Sequence, residues 1–311
     1  LAAEGLAPLL AQAVARAEMP LLESLDDEEA PRSEACLQAV ALVARADPAA
    51  WLPLIGGPGG VWPALERAAA DSTASGEVRS AALAALVELL DAALAEGWEG
   101  DCGSPLDLAP KVVAVAARVL QDVPSDDAVD EWAEGTDEEV AALPSEEQSG
   151  DEILLDGALD SMGRLAAHSE LAPEALRQAA ASLMASSSWQ ARHGGLLLHL
   201  RLACAGDLAG PPAQMAFGVA GGHFGHAHPR VRWAALEVWA RLLARGGRPQ
   251  AEHIDGAFHG LLQAAGGDMY VRVRRRGLLV LLLAAHAQPP LLRTAHLAPI
   301  FRVALLPQAA S

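Results

Sequence analysis

The sequence has 311 residues, a formal net charge of −18, and a composition that is 52% hydrophobic and 20% charged. The negative charge excludes non-specific binding to nucleic acid or to an anionic membrane surface, because both need a basic face, and the apolar fraction excludes a disordered chain. Aromatic residues make up only 4% of the chain, so Ala, Leu and Val supply the core, which favours packed helices over strands.

The amino-terminal stretch begins without Met and is already periodic in apolar residues from Leu6 to Val14. We therefore expect the chain to be part of a longer protein. A degenerate repeat follows at Ser33 to Val43, and the glycines from Gly56 to Gly60 predict a turn, because no G-K-[ST] ending makes them a phosphate loop. The three Cys residues form no C-x-x-C pair, which excludes a cysteine zinc site and favours a reduced intracellular compartment.

A repeated frame runs through the rest of the chain, with small residues after an arginine at Arg79, Arg192, Arg232 and Arg274. The last three arginines directly follow Ala191, Val231 and Val273, which are separated by 40 and then 42 positions. HEAT and armadillo repeats have a period of about 40 to 47 residues. The interval between the first two arginines is longer and contains an unusual acidic segment.

Each repeat is predicted to be a pair of helices. The first helices span 173–184, 212–219 and 252–264, and the second helices span 189–204, 230–244 and 270–285. Gly and Pro separate them, and each second helix has one apolar stripe that a single pair cannot bury. Stacked neighbours must complete the core, so the sequence predicts an all-α solenoid, residues 1–311 forming one array. The apolar run after Arg276 is too short to cross a bilayer and is predicted to be part of a buried helix.

The acidic segment lies within this array. Residues 121–163 contain 15 carboxylates and no Lys or Arg. We expect residues 122–152 to form a mobile acidic loop, centred on Pro124 to Gly150, between two helices of one repeat. Calcium is excluded, because Glu131 stands where an EF-hand loop needs Gly. The loop is either a solvating spacer or an arm that binds basic segments, with Trp132 as an anchor.

Three landmarks resemble the importin-beta (karyopherin-beta) superfamily, and specifically its beta-three branch. They are the acidic cluster ending at Trp132, the stretch from Trp189 to Leu196, which resembles that branch's Trp-x-x-Arg-His-x-Gly-Leu helix start, and His228 to Ala235, which is similar to its His-Pro-Arg-Val-Arg segment. The residues that define the repeats under this resemblance are Arg79, Trp189, Arg192, His193, Pro229, Val231, Arg232, Asp268 and Arg274.

The resemblance implies a central HEAT-repeat portion of a nuclear import receptor, without catalysis or cofactor. HEAT repeats commonly carry an Asp six residues before the second-helix Arg, which forms a charged ladder. Only Asp268 with Arg274 fits that spacing here; Thr73, Ser186 and His226 stand at the equivalent places. We therefore expect much of the ladder to be missing.

The implied partners are basic cargo proteins carrying nuclear localisation signals, in the cytoplasm and the nucleus. The Ran GTPase is expected to dock largely on amino-terminal repeats, which we expect to be absent, so Ran binding stays open. No nucleic acid and no membrane insertion are implied. The candidate contacts to a basic partner are Asp126, Asp127, Asp130, Glu131, Trp132, Glu134, Asp137, Glu138 and Glu139. The alternative is a general HEAT scaffold of a multi-subunit complex without a Ran cycle.

Two further patterns carry other interpretations. His223, His226 and His228 offer three imidazoles, but no carboxylate or thiol completes a metal site, and a solvent loop is the simpler interpretation. The basic run from Arg272 to Arg276 is predicted to line one helix face and to meet neighbouring carboxylates. No spacing typical of a catalytic triad or a metal dyad appears, so no enzyme is predicted.

Overall fold

The structure is a computed structural model that describes residues 37–42, 46, 54–55, 60–98, 103–122, 129–134, 150–168 and 173–287. No β-strand occurs among these residues, which confirms the all-α prediction. No helix in the described ranges combines the length and apolar character needed to cross a bilayer. The chain divides into two compact units, the first formed by residues 1–123 and 148–179 and the second by residues 124–147 and 180–311.

The first unit contains α1 (Val61–Ala70), α2 (Gly76–Ala95), α3 (Pro105–Val119) and α5 (Gly150–Ala167). Ser75 begins α2 by accepting a hydrogen bond from the Val78 N–H, and Ser104 begins α3 in a capping box with Asp107. The core is formed by fully buried leucines and valines of α2 and α3, among them Leu83, Leu86, Leu89, Leu90, Leu108 and Val112.

The second unit contains α4 (Val129–Glu134), α7 (Trp189–Ala205), α8 (Pro211–Gly221), α9 (Pro229–Ala244), α10 (Ala251–Gly267) and α11 (Val271–Ala287). The helix α6 (Pro173–Ala185) contributes residues to both units. The predicted first and second helices thus exist, and their ends differ by only a few residues from those expected. The aromatic core of the second unit centres on Trp239. The Trp239 ring contacts Phe217 and Phe224, and its indole N–H donates to the Phe217 carbonyl at 3.0 Å.

Small residues allow close packing of helices in the second unit, as the sequence predicts. Gly277 of α11 lies so close to α10 that an added methyl group would meet the Ala265 backbone at 2.9 Å. Gly195 of α7 similarly faces the sulfur of Met184, which an added methyl group would approach to 2.8 Å. Neither position has room for a larger side chain without movement of its neighbour.

The acidic segment is not a continuous loop. Residues 129–134 form the short helix α4, while residues 123–128 and 135–149 lie outside the described residues. Residues 150–152 already belong to α5, and Asp122 pairs with Arg79 of α2. The expectation of a loop from 122 to 152 is therefore wrong at these three places, because Trp132, Asp122 and the apolar stripe of α5 each make contacts that the charge count does not reveal. The mobility of the rest stays a prediction.

Candidate functional site

The second helices are aligned by an arginine ladder, which is more complete than the sequence suggests. Arg192, Arg232 and Arg274 each donate a hydrogen bond to the main-chain carbonyl six residues earlier, at Ser186, His226 and Asp268. Arg79 of the first unit instead donates to the Ala69 carbonyl and pairs with Asp122. Each of these four arginines thus donates to a main-chain carbonyl near or after the end of the first helix of its own repeat.

The carboxylate of Asp268 pairs with the preceding repeat, which the spacing argument did not predict. Arg232 Nε lies 2.6 Å from Asp268 Oδ2, and Arg232 Nη2 donates to Oδ1 at 2.9 Å. Arg274 donates to the main-chain oxygen of Asp268 and not to its carboxylate. The carboxylate of Asp268 therefore links one repeat to the next, whereas the main-chain hydrogen bonds of the arginines lie within one repeat.

His226 takes the place of the expected Asp one repeat earlier. Its Nε2 lies 3.1 Å from Arg192 Nη1, and its Nδ1 accepts a hydrogen bond from the His228 N–H at 3.0 Å. Asp268 Oδ1 accepts from the Tyr270 N–H in the same way. The carboxylate of the charged ladder is missing here, as predicted, and an imidazole nitrogen takes its place beside Arg192.

The three histidines around α9 have structural roles. His228 Nδ1 accepts from the Arg230 N–H at the start of α9, and the His228 ring stacks on Trp189 at 3.7 Å between centroids. Burial, followed by the nearby Arg192 charge, lowers the pKa of His226. No group of three or more metal-ligating side chains lies together in the described ranges. The interpretation of these histidines as a solvent loop is thus incomplete.

The most unusual feature of the second unit is the position of Trp132. The guanidinium carbon of Arg230 lies 4.8 Å from the centroid of the indole ring, and that of Arg272 lies 4.6 Å away. Arg272 Nη1 also donates to the Trp132 carbonyl at 3.1 Å. Both arginines are almost fully buried, at 6% and 7% exposed. An aromatic face near a buried guanidinium stabilises its charge.

A second tryptophan extends this contact. Trp233 of α9 meets Trp132 edge to face, with ring centroids 5.9 Å apart. Arg272 and Arg276 lie over the Trp233 ring at 5.3 and 5.6 Å. Arg276 then reaches the buried carboxylate of Glu237, which also accepts from Arg241. We call the surface formed by Arg230, Trp233, Arg272 and Arg276 the Arg–Trp face.

His193 lies beneath this cluster. It is completely buried, and burial lowers its pKa to about 3, with further contributions from the charges of Arg230, His228 and Arg272. The His193 Nδ1 and Trp233 Nε1 atoms are buried without a hydrogen-bond partner among the described residues. Burial also lowers the pKa of Arg276. The Arg–Trp face is therefore a largely desolvated surface that contains three guanidiniums, one of which pairs with Glu237.

The structure brings together only part of the predicted binding set. Asp130 and Glu134 of α4 are exposed and flank Trp132, which is half-buried. The side chain of Glu131 and the whole of five other candidates lie outside what the structure describes: Asp126, Asp127, Asp137, Glu138 and Glu139. Trp132 is engaged by arginines of its own chain, which the sequence did not predict.

The residues that the sequence reasoning missed are those of the Arg–Trp face and Glu237. The basic run from Arg272 to Arg276 was the available signal, and its predicted contact with a carboxylate is found between Arg276 and Glu237. Arg272 instead stacks on tryptophan, and Arg274 belongs to the ladder. This part of the second-helix surface thus carries several arginines.

Solved structures of Kap121p share this fold. The chain matches a Kap121p variant with a TM-score of 0.71 at 16% identity, covering 99% of this chain and 28% of that one. It matches Kap121p bound to Nup53p with a TM-score of 0.71 at 16% identity, over 98% and 28% of the two chains. It matches Kap121p bound to RanGTP with a TM-score of 0.66 at 17% identity, covering 96% of this chain and 28% of that one.

The chain has the HEAT-repeat fold of a karyopherin segment. It spans less than a third of the Kap121p chains that it matches. No protein-family model matches the sequence, and no curated protein matches it. The likeness to the karyopherin thus concerns the fold, since the identity is low.

Proposed function

We propose that the protein is a nuclear transport receptor of the importin-beta superfamily, beta-three branch, and that it binds basic cargo segments without catalysis. The fold is that of a Kap121p segment, and the structures of Kap121p include complexes with Pho4p, Ste12p and RanGTP. The single observation that carries the proposal to this chain is the acidic segment, in which 15 carboxylates occur without a Lys or Arg. Its action in nucleocytoplasmic transport would place it in the cytoplasm and the nucleus.

The structure limits where such a basic segment can bind. The Arg–Trp face would repel it, because Arg230, Arg272 and Arg276 are concentrated there. The carboxylates of the acidic segment offer the opposite charge, and Asp130 and Glu134 are exposed on α4. We therefore place basic cargo on the acidic segment itself.

Binding of a fluorescein-labelled Lys/Arg-rich peptide, followed by anisotropy, tests this proposal. We expect binding that weakens steeply with salt, because exposed charges are screened beyond about 8 Å at physiological ionic strength. A peptide of equal length with Gln in place of each Lys and Arg is the matched control. Equal binding of both peptides, or binding insensitive to salt, would contradict the proposal.

The same assay separates a transport receptor from the alternative of a general HEAT scaffold. GTP-bound Ran is added to the preformed complex, with GDP-bound Ran as the control. Release of the basic peptide by the GTP form alone supports a transport receptor. Retention of the peptide in both cases favours a scaffold, or a segment without the repeats on which Ran docks.

A further inference from the structure

We propose that the Arg–Trp face is a binding site for a short acidic segment with a central aromatic residue, supplied by a partner protein. In this structure α4 of the same chain occupies the site. The partner has a chemistry opposite to that of the basic cargo proposed above, so this inference does not rest on the transport proposal.

The occupant defines the chemistry of the ligand. The sequence around Trp132 is Asp130-Glu131-Trp132-Ala133-Glu134, which surrounds one indole ring with carboxylates. The guanidinium carbons of Arg230 and Arg272 lie 4.8 and 4.6 Å from the ring centroid, and Arg272 also donates to the main-chain oxygen of Trp132. Cation–π contacts of this kind stabilise a ring against a guanidinium, and more strongly when the cation is desolvated. A partner segment with the same pattern would make the same contacts.

The site also offers buried polar atoms to a ligand. Trp233 Nε1 and His193 Nδ1 have no hydrogen-bond partner among the described residues. Trp233 lies directly against the occupant, with its ring 5.9 Å from that of Trp132. An indole N–H can donate to a carboxylate or a carbonyl. A longer segment than α4 can therefore form a hydrogen bond that α4 leaves unmade.

The present occupant is suited to exchange. The helix α4 has six residues, and isolated helices shorter than about 12 residues are marginal in water. Its helical state thus depends on the contacts with α9 and α11. Its ring remains half-buried rather than enclosed in the core. The helix also buries Val129 and Ala133, so a partner in trans competes with the contacts of one short helix.

The probe for this site is a fluorescein-labelled peptide with the sequence of residues 126–138, added to the full chain. We expect it to bind the Trp132→Ala chain about 10-fold more tightly than the wild type, because loss of the indole weakens the internal competitor by at least 1.4 kcal/mol. The same peptide with Trp replaced by Ala should bind at least about 10-fold more weakly.

Two arginines of α11 provide a matched pair of variants. Arg272→Gln removes a guanidinium of the Arg–Trp face, whereas Arg275→Gln removes the same charge from an exposed position of the same helix. We expect the first change to abolish peptide binding and the second to reduce it less than about 2-fold, since a distant exposed charge is screened. If Arg272→Gln prevents folding, the difference in peptide affinity between the wild type and the Trp132→Ala chain still tests the proposal.

Three results would overturn the proposal. The first is no binding of the peptide to either the wild type or the Trp132→Ala chain. The second is equal binding of the peptides with Trp and with Ala, which would indicate charge attraction alone. The third is dimerisation of the wild-type chain through exchanged α4 helices, seen by light scattering, since the site would then belong to a second copy.

Discussion

Arg232 and Asp268 form a two-pronged ion pair between successive repeats of the second unit, with N–O distances of 2.6 and 2.9 Å. Both side chains are largely buried, at 12% and 5% exposed. The pair connects the start of α9 with the residue that follows α10, and Arg274 donates a hydrogen bond to the main-chain oxygen of the same Asp268. Successive helix pairs are therefore held in register by a buried charge.

Removal of this carboxylate should be costly. Asp268→Ala leaves Arg232 buried without its carboxylate and should lower the free energy of unfolding by about 3 to 5 kcal/mol. Urea denaturation followed by circular dichroism measures the change. The control is Glu174→Ala, which breaks an exposed pair with Arg177 and should change the free energy of unfolding far less. Similar losses for the two variants would show that the ladder is not a stabilising element.

His226 stands where the ladder expects an Asp, so replacing it by Asp should stabilise the folded chain. Both ring nitrogens of His226 face N–H donors, from Arg192 and from the His228 main chain. A neutral imidazole has one acceptor nitrogen, whereas a carboxylate accepts both bonds. His226→Asp should therefore raise the free energy of unfolding at neutral pH by about 1 kcal/mol. The gain should disappear in an Arg192→Ala background; a gain that persists there would have another cause.

Two glycines should respond in opposite directions to the same substitution. Gly277→Ala places a methyl group 2.9 Å from the Ala265 backbone and should destabilise the protein by about 1 to 3 kcal/mol. Gly256 of α10 has nothing within 4 Å of an added methyl group, so Gly256→Ala should stabilise the helix by about 0.5 to 1 kcal/mol. Thermal unfolding of the two variants distinguishes close packing from helix propensity. Equal signs would refute the packing argument.

The buried His193 predicts a loss of stability in acid. Its pKa is about 3 in the folded chain and 6.5 in the ordinary state, so the unfolded chain takes up a proton first as pH falls. The stability is fully present above pH 6.5 and is lost towards pH 3, with a cost of about 2 kcal/mol already at pH 5.

The variant His193→Leu isolates this effect, because it removes the titrating group at similar volume. The free energy of unfolding is measured in urea at pH 7 and pH 5 for the wild type and for the variant. The variant should lose about 2 kcal/mol less between these pH values. An unaltered slope in His193→Leu would contradict the prediction.

The sequence predicted the helices more completely than the site. The second helices α7, α9 and α11 were located because a repeated frame, apolar stripes and Gly or Pro joins agree at intervals of 40 and 42 residues. These signals are local, and each acts through hydrogen bonds or packing within one helix pair.

The Trp132 contact could not be found in this way. Arg272 lies 140 positions from Trp132, and no periodic pattern relates an acidic insertion to a distant basic run. The charge count indicated a loop, because like charges without an apolar stripe do not fold by themselves. The helix α4 forms through contacts with α9 and α11, which are tertiary.

Stopped-flow association of the Lys/Arg-rich peptide tests the central claim, that the acidic segment captures basic cargo. The chain with Asp126→Asn, Asp127→Asn, Asp130→Asn and Glu131→Gln is compared with one in which four exposed carboxylates elsewhere are neutralised: Glu96, Glu174, Asp207 and Glu252. Both variants change the net charge equally. Steering by the acidic segment predicts an association rate constant about 10-fold lower in the first variant alone. Equal rate constants for the two variants would contradict the account.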